Sequence, residues 1–84
     1  MDQASILDYL LTEIQAHAEI LHKGLIPVTE NSDLFKVLDS LARLEIMFEI
    51  EDKYFQDIDN MVDINTYKQV TIAELAQLIY EQVQ

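Results

Sequence analysis

Apolar residues recur at helical spacing in three separate segments, and no segment shows convincing strand alternation, so the chain is read as all-α. The first segment runs from Ala4 to Leu21. Ile6, Leu10, Ile14 and Leu21, joined by Leu7, Leu11 and Ala18, fall on one broad arc, and Asp8, Glu13, Gln15 and Glu19 occupy the remainder. Gly24, the only glycine, follows His22-Lys23 and is a natural C-cap, with the basic pair complementing the negative helix end. Pro27 forbids continuation, and Thr29-Glu30-Asn31-Ser32-Asp33 is rich in turn formers. Residues 25–38 are therefore expected to form a loop pinned by Leu25, Ile26, Val28, Leu34 and Phe35.

A second helix follows, with Asp39 as its cap. At about 100° per residue, Leu41, Leu44, Phe48 and Phe55 cluster on one side, and Met47, Ile50 and Tyr54 extend that arc. Glu45, Glu49 and Asp52 line the opposite side, so one helix is expected to carry a core face and an acidic face; Phe48 and Met47, near the acidic face, are expected in the core, with room for one of them to straddle both. Gln56 to Asn60 read as a turn, and Met61 to Lys68 as a short helix with unfixed ends. The capping-box pattern Thr71-Ile72-Ala73-Glu74 opens a last helix with Ile72, Leu75, Ala76, Ile79 and Val83 on one face. There is no internal repeat and no low-complexity tract, and residues 1–84 are expected to form a single domain.

Size and charge narrow the function classes. A chain of 84 residues has room for one core that buries about 60% of the surface its unfolded form exposes. Sixteen acids against five Lys and Arg leave a formal charge of -11, which argues against nucleic acid or an anionic membrane as partner and favours basic protein surfaces. With no cysteine there is neither a disulfide framework nor a thiolate metal site, and any thiol chemistry needs a cofactor that brings the sulfur. Met1-Asp2-Gln3 lacks the basic and apolar segments of a signal peptide, and no run of about 18 apolar residues occurs. A cytoplasmic monomer is the expectation.

Other constellations have weak claims. His17 projects onto the apolar arc of the first helix and is expected to be a half-buried ring with one satisfied nitrogen. His17 and His22 do not share a helix face and make a poor metal pair. Asp63 to Glu74 places oxygens at the first, third and twelfth positions of a calcium loop. Lys68, however, stands where the sharp turn needs glycine, and Tyr67 replaces a ligand. No nucleophile–base spacing and no glycine-rich phosphate loop recommends catalysis, so the chain is not read as an enzyme.

Ser40 is the position with a sharper reading. A serine where a loop turns into an acidic amphipathic helix sets its hydroxyl beside free backbone N–H groups, a place that suits a phosphate ester. The run Leu38-Asp39-Ser40-Leu41-Ala42-Arg43-Leu44-Glu45-Ile46 resembles the acyl carrier protein family, whose signature is Asp-Ser-Leu at the start of an acidic second helix. Glu45, Ile50, Glu51, Asp52, Tyr54 and Ile58 continue the match in register, and it extends more loosely over the chain through size, acidity, the long first loop and Val70-Thr71-Ile72.

The resemblance implies an antiparallel four-helix bundle of three main helices and a short third one. It implies a 4'-phosphopantetheine attached at Ser40, flanked by Asp39 and Leu41, whose thiol holds acyl groups as thioesters. Asp39 would cap the helix or help a modifying enzyme bind metal and substrate. Asp39, Glu45, Glu51 and Asp52 would meet basic patches on partners, namely a phosphopantetheinyl transferase and acyl-loading and acyl-transferring enzymes. The interior between the second, short third and last helices would shelter the acyl chain.

The sequence also departs from the family pattern. Val37-Leu38 stand where carriers commonly have glycine before the signature, and the loop leading to Asp39 looks short, so the approach to Ser40 is expected to be tight and apolar. Ala42 occupies a position where many fatty-acid carriers have an acid, and Arg43 adds a positive charge beside it. These differences point to specialised partners in a lipid, fatty-acid, polyketide or related pathway. They also motivate an alternative: an acidic helical docking or regulatory module with the same bundle and no cofactor.

Overall fold

The computed structural model describes residues 2–24, 26–54 and 69–83. Four helices lie among them: α1 (Gln3–His22), α2 (Leu34–Val37), α3 (Ser40–Tyr54) and α4 (Ile72–Val83). They form a small all-α bundle around one apolar core. Leu25, Phe55, Ile58, the turn expected at 56–60 and the short helix expected within 61–68 lie outside the described residues, as does the first half of the calcium-loop-like stretch.

The α1 helix starts where Asp2 accepts a hydrogen bond from the Ser5 N–H at 2.8 Å, a contact that also holds the Asp2 carboxyl below the usual carboxylate range. Ile6, Leu10, Ile14 and Ala18 are fully buried, with Leu7 and Leu11 packed against them. Leu21, expected on the same face, is instead 37% exposed. At 20 residues against 15 and 12, α1 is longer than α3 and α4, and Leu21 lies in its last turn. The cap also falls one residue earlier than expected. Lys23, not Gly24, takes the left-handed conformation (φ 56°), and the Gly24 N–H reaches back to the Glu19 carbonyl at 3.1 Å.

The loop after α1 is built by polar contacts that periodicity does not reveal. Gln15 holds it with both ends of its amide, donating to the Ile26 carbonyl at 2.7 Å and accepting from the Val28 N–H at 3.0 Å. Further on, the loop closes the start of α4. The Ile72 and Ala73 amides donate to the Ser32 and Glu30 carbonyls, the Glu74 amide to Thr71 Oγ1, and the Leu75 amide to the Thr71 carbonyl. The capping box is completed by Glu74, which accepts from the Thr71 N–H at 3.0 Å. Every first-turn donor of α4 therefore has an acceptor within the chain.

Asp33 ties the same loop to the next element. Its carboxylate accepts from the Phe35 and Val70 N–H groups, and the Leu34 N–H donates to the Val70 carbonyl at 2.8 Å. Asp33 thereby caps α2, a four-residue helix inside the stretch expected to be loop throughout. Four residues are too few for periodicity to register. The consequence is a firm support, anchored on α4, from which the chain passes to Ser40.

The face of α3 differs from the expected one. Ala42, Ile46, Met47, Ile50 and Tyr54 are buried, whereas Leu41 is 64%, Leu44 40% and Phe48 59% exposed. On an α-helix the stripe of Leu41, Leu44 and Phe48 is bordered by Glu51 on one side and by Asp52 and Glu45 on the other. Turning it inward would drag carboxylates out of water, a cost the observed face avoids. Met47 is core as expected; Phe48 is not.

Contacts between α1 and α3 show that the two run antiparallel. Near the end of α1, His17 meets Glu45 and Glu49 in the first half of α3. Near its start, Tyr9 packs edge-on against Tyr54 at the other end of α3, with ring centroids 5.6 Å apart. The Lys53 ammonium lies 4.8 Å from the Tyr9 ring centroid. These rings, with Ser5, Asp8, Thr12 and Glu13, line an open groove of about 460 Å³ at the end of α3 remote from Ser40.

Candidate functional site

Ser40 is the first residue of α3 and is exposed. Asp39 is the helix cap, as expected: its carboxylate accepts from the Ala42 N–H at 2.9 Å, and its carbonyl from the Arg43 N–H at 2.9 Å. Those two bonds account for the third and fourth amides of the helix. The Ser40 and Leu41 amides have no intrahelical acceptor available to them. The exposed serine hydroxyl therefore stands beside two amides the helix does not use, at the positive end of a 15-residue helix.

The approach to Ser40 is tight and apolar. Leu38, in the extended conformation, is only 2% exposed, and Val37 packs partly against the core. Two basic side chains hold this short connection. His22, in the last turn of α1, uses Nε2 to donate to the Val37 carbonyl at 3.1 Å; a carbonyl only accepts, so that nitrogen carries a proton. Arg43 reaches back along α3 to donate from Nη1 to the Leu38 carbonyl at 2.9 Å, while its guanidinium carbon lies 4.4 Å from the Phe35 ring centroid. Arg43 Nε is buried and has no hydrogen-bond partner among the described residues. A buried donor left in that state costs about 1–3 kcal/mol.

Beside Ser40, the exposed apolar stripe of Leu41, Leu44 and Phe48 runs along α3 at i, i+3 and i+7. Glu45, Glu51 and Asp52, expected as docking residues, are exposed and rim it. Glu45 is not simply a solvated acid. His17, with its side chain 21% exposed, faces Glu45 through Nδ1 at 3.4 Å and Glu49 through Nε2 at 3.0 Å. The ring is half-buried with one nitrogen hydrogen-bonded, as expected, through Nε2 to Glu49, while Nδ1 faces the Glu45 carboxylate at the longer distance. Helical projection put His17 on the core side of α1 but gave no sign of what α3 would bring to it.

At the far end, burial first, and then the nearby Glu49 and Glu13 carboxylates, push the Tyr9 phenol up to about 12. Burial alone raises Tyr54. No group of three or more His, Asp or Glu side chains among the described residues is arranged to hold a metal ion. The short third helix, one of the three expected to shelter an acyl chain, lies outside the described residues.

No family model matches the sequence, and comparisons with curated proteins and with solved structures return no significant match. Chemistry and geometry alone therefore bear on what the chain does.

Proposed function

We propose that this chain is an acyl carrier protein, with a 4'-phosphopantetheine esterified to Ser40 and acyl groups held as thioesters on its thiol. One observation carries the reading: Ser40 is an exposed hydroxyl at the start of α3, beside amides that α3 itself does not satisfy. A phosphodiester there meets the positive helix end, which stabilises an exposed anion by about 0.3–1 kcal/mol. The chain carries no thiol of its own to compete with the cofactor's. Its contribution is presentation rather than catalysis.

The stripe beside Ser40 supports the same reading. Leu41, Leu44 and Phe48 offer apolar contact, and Glu45, Glu51 and Asp52 around them offer charge to a basic partner. In such a surface the apolar centre supplies affinity, while rim charges set encounter rate and selectivity and fade with salt. The partners would be a phosphopantetheinyl transferase and acyl-loading and acyl-transferring enzymes of a lipid, fatty-acid, polyketide or related pathway. A cytoplasmic monomer fits this role. No helix among the described residues is long and apolar enough to cross a membrane.

The rival is an acidic docking module without cofactor. It is favoured by Leu38, whose buried side chain fills the place where carriers commonly have glycine. Incubation with coenzyme A and a broad-range phosphopantetheinyl transferase, followed by intact-mass measurement, separates the two. The carrier reading expects a gain of one phosphopantetheine in the wild type and none in Ser40→Ala. No gain in the wild type, where an ordinary carrier is loaded, or an equal gain in Ser40→Ala, leaves the docking module.

A further inference from the structure

The chain is strongly acidic, yet basic residues flank the turn that presents Ser40. Only five Lys and Arg occur in the sequence. Lys36 lies in the last turn of α2, Arg43 is bonded to the Leu38 carbonyl, and His22 is bonded to the Val37 carbonyl. Arg43 is the best placed of these. It sits three residues after Ser40, the spacing that makes neighbours on a helix surface. Its side chain runs toward the helix start and is anchored two residues before Ser40, so the guanidinium lies alongside the serine's own turn.

The state of that guanidinium is informative. Nη1 is bonded and the flat face is stacked on Phe35, but Nε, on another edge of the fork, is buried without an acceptor among the described residues. A guanidinium binds phosphate best through two parallel N–H groups. An anion on the neighbouring serine would offer the Nε edge the acceptor it lacks.

We infer that Arg43 is the positioning residue for a phosphate ester on Ser40, anchoring the phosphate with its guanidinium while its bond to Leu38 steadies the approach. This rests on Ser40 being the phosphate-bearing residue and adds which side chain fixes the group's orientation. A prosthetic arm held at its root emerges in one direction rather than sweeping freely. A carrier lacking a cation there would present its cargo less selectively.

The test does not depend on any modifying enzyme. Ser40→phosphoserine, made by genetic incorporation, supplies a monoester whose second ionisation lies near pH 6 and is followed by phosphorus NMR. A His22→Gln background keeps a donor for Val37 and takes the neighbouring imidazole out of the comparison; Asp39 and Lys36 stay constant throughout. Arg43 should hold the phosphate ionisation lower than Arg43→Gln does, by about half a unit, with Arg43→Lys in between. In the otherwise unaltered chain, the Arg43 Nε–H resonance should shift when the phosphate is installed, a readout that needs no Arg43 variant to fold. Coincident titrations with Arg, Lys and Gln at position 43, or an Nε–H resonance indifferent to the phosphate, overturn the inference. Coupling in this protein together with failure of enzymatic loading would keep Arg43's role and remove the carrier reading. Loading without coupling would do the reverse.

Discussion

At the start of α4 each first-turn amide finds an acceptor in the chain itself, from Ser32, Glu30 and Thr71. At the start of α3, Asp39 serves Ala42 and Arg43 and leaves the first two amides without an acceptor in the helix, next to an exposed serine. The faces differ in the same sense. Ile72, Leu75, Ala76 and Ile79 of α4 are all buried, whereas α3 buries Ala42, Ile46 and Ile50 and exposes Leu41, Leu44 and Phe48. A helix whose donors and apolar groups are all used inside the molecule is scaffold. One that leaves both unused by the molecule itself has them open to contact from outside.

The largest effect expected from this contrast is a split between apolar truncations on the two helices. Ile79→Ala in α4 removes fully buried methyl groups and should cost about 2–5 kcal/mol in denaturant unfolding. Phe48→Ser in α3 removes a larger side chain that is 59% exposed and should change stability by no more than about 0.5 kcal/mol. The same Phe48→Ser should slow transfer of phosphopantetheine to Ser40 by a transferase that contacts the stripe. Equal destabilisation by the two substitutions would show that the outer face of α3 is packed in solution and erase the distinction.

Sequence periodicity resolved these two helices unequally for the same reason. In α4 the apolar residues have a single arc to occupy, and the capping box names its first turn, so helix, face and start could all be read. In α3 apolar residues lie nearly all round, and the choice between two arcs depended on which one is bordered by carboxylates. That border is formed by Glu45, Glu51 and Asp52, whereas the size of Leu41 and Phe48 points to the other choice. Ser40 and its Asp39 cap are local features and were legible. The pairing of His17 with Glu45 and Glu49, Asp33 with Val70, and Arg43 with Leu38 joins residues through the fold. No spacing rule within one segment contains such contacts.

A smaller effect concerns the caps. Asp39→Ala and Thr71→Ala each remove a side-chain acceptor from a helix start and should each cost about 0.5–2 kcal/mol. The contrast predicts different outcomes beyond stability. Losing Thr71 leaves Ile72 and Ala73 still bonded to Ser32 and Glu30, so only the first turn of α4 should gain in amide exchange. Losing Asp39 frees a third amide beside Ser40, so exchange should rise through the first turn of α3 and loading of Ser40 should change with it. Asp39→Asn, which keeps an acceptor, should restore stability to within a few tenths of a kcal/mol. If Thr71→Ala altered loading as much as Asp39→Ala, the start of α4 would belong to the site as well.

The smallest effect sets the aromatic link from α3 to α1 against the apolar packing of α4, and it appears only in alkali. Burial and the Glu49 and Glu13 carboxylates hold the Tyr9 phenol at about 12 in the folded chain, against an ordinary value near 10. Between those values the unfolded chain has released the Tyr9 proton and the folded chain retains it. The unfolded state then binds fewer protons, so stability falls as pH rises from about 10 toward 12. Tyr54, raised by burial and in edge contact with Tyr9, should contribute in the same direction. Tyr9→Phe has no proton to lose and should flatten the slope while leaving stability at neutral pH little changed. Because the link joins α3 rather than α4 to α1, amide protection in the last turns of α3 should fall first along an alkaline titration. Loss of protection in α4 at the same pH would mean that the two helices unfold as one unit and that their difference ends at the surface.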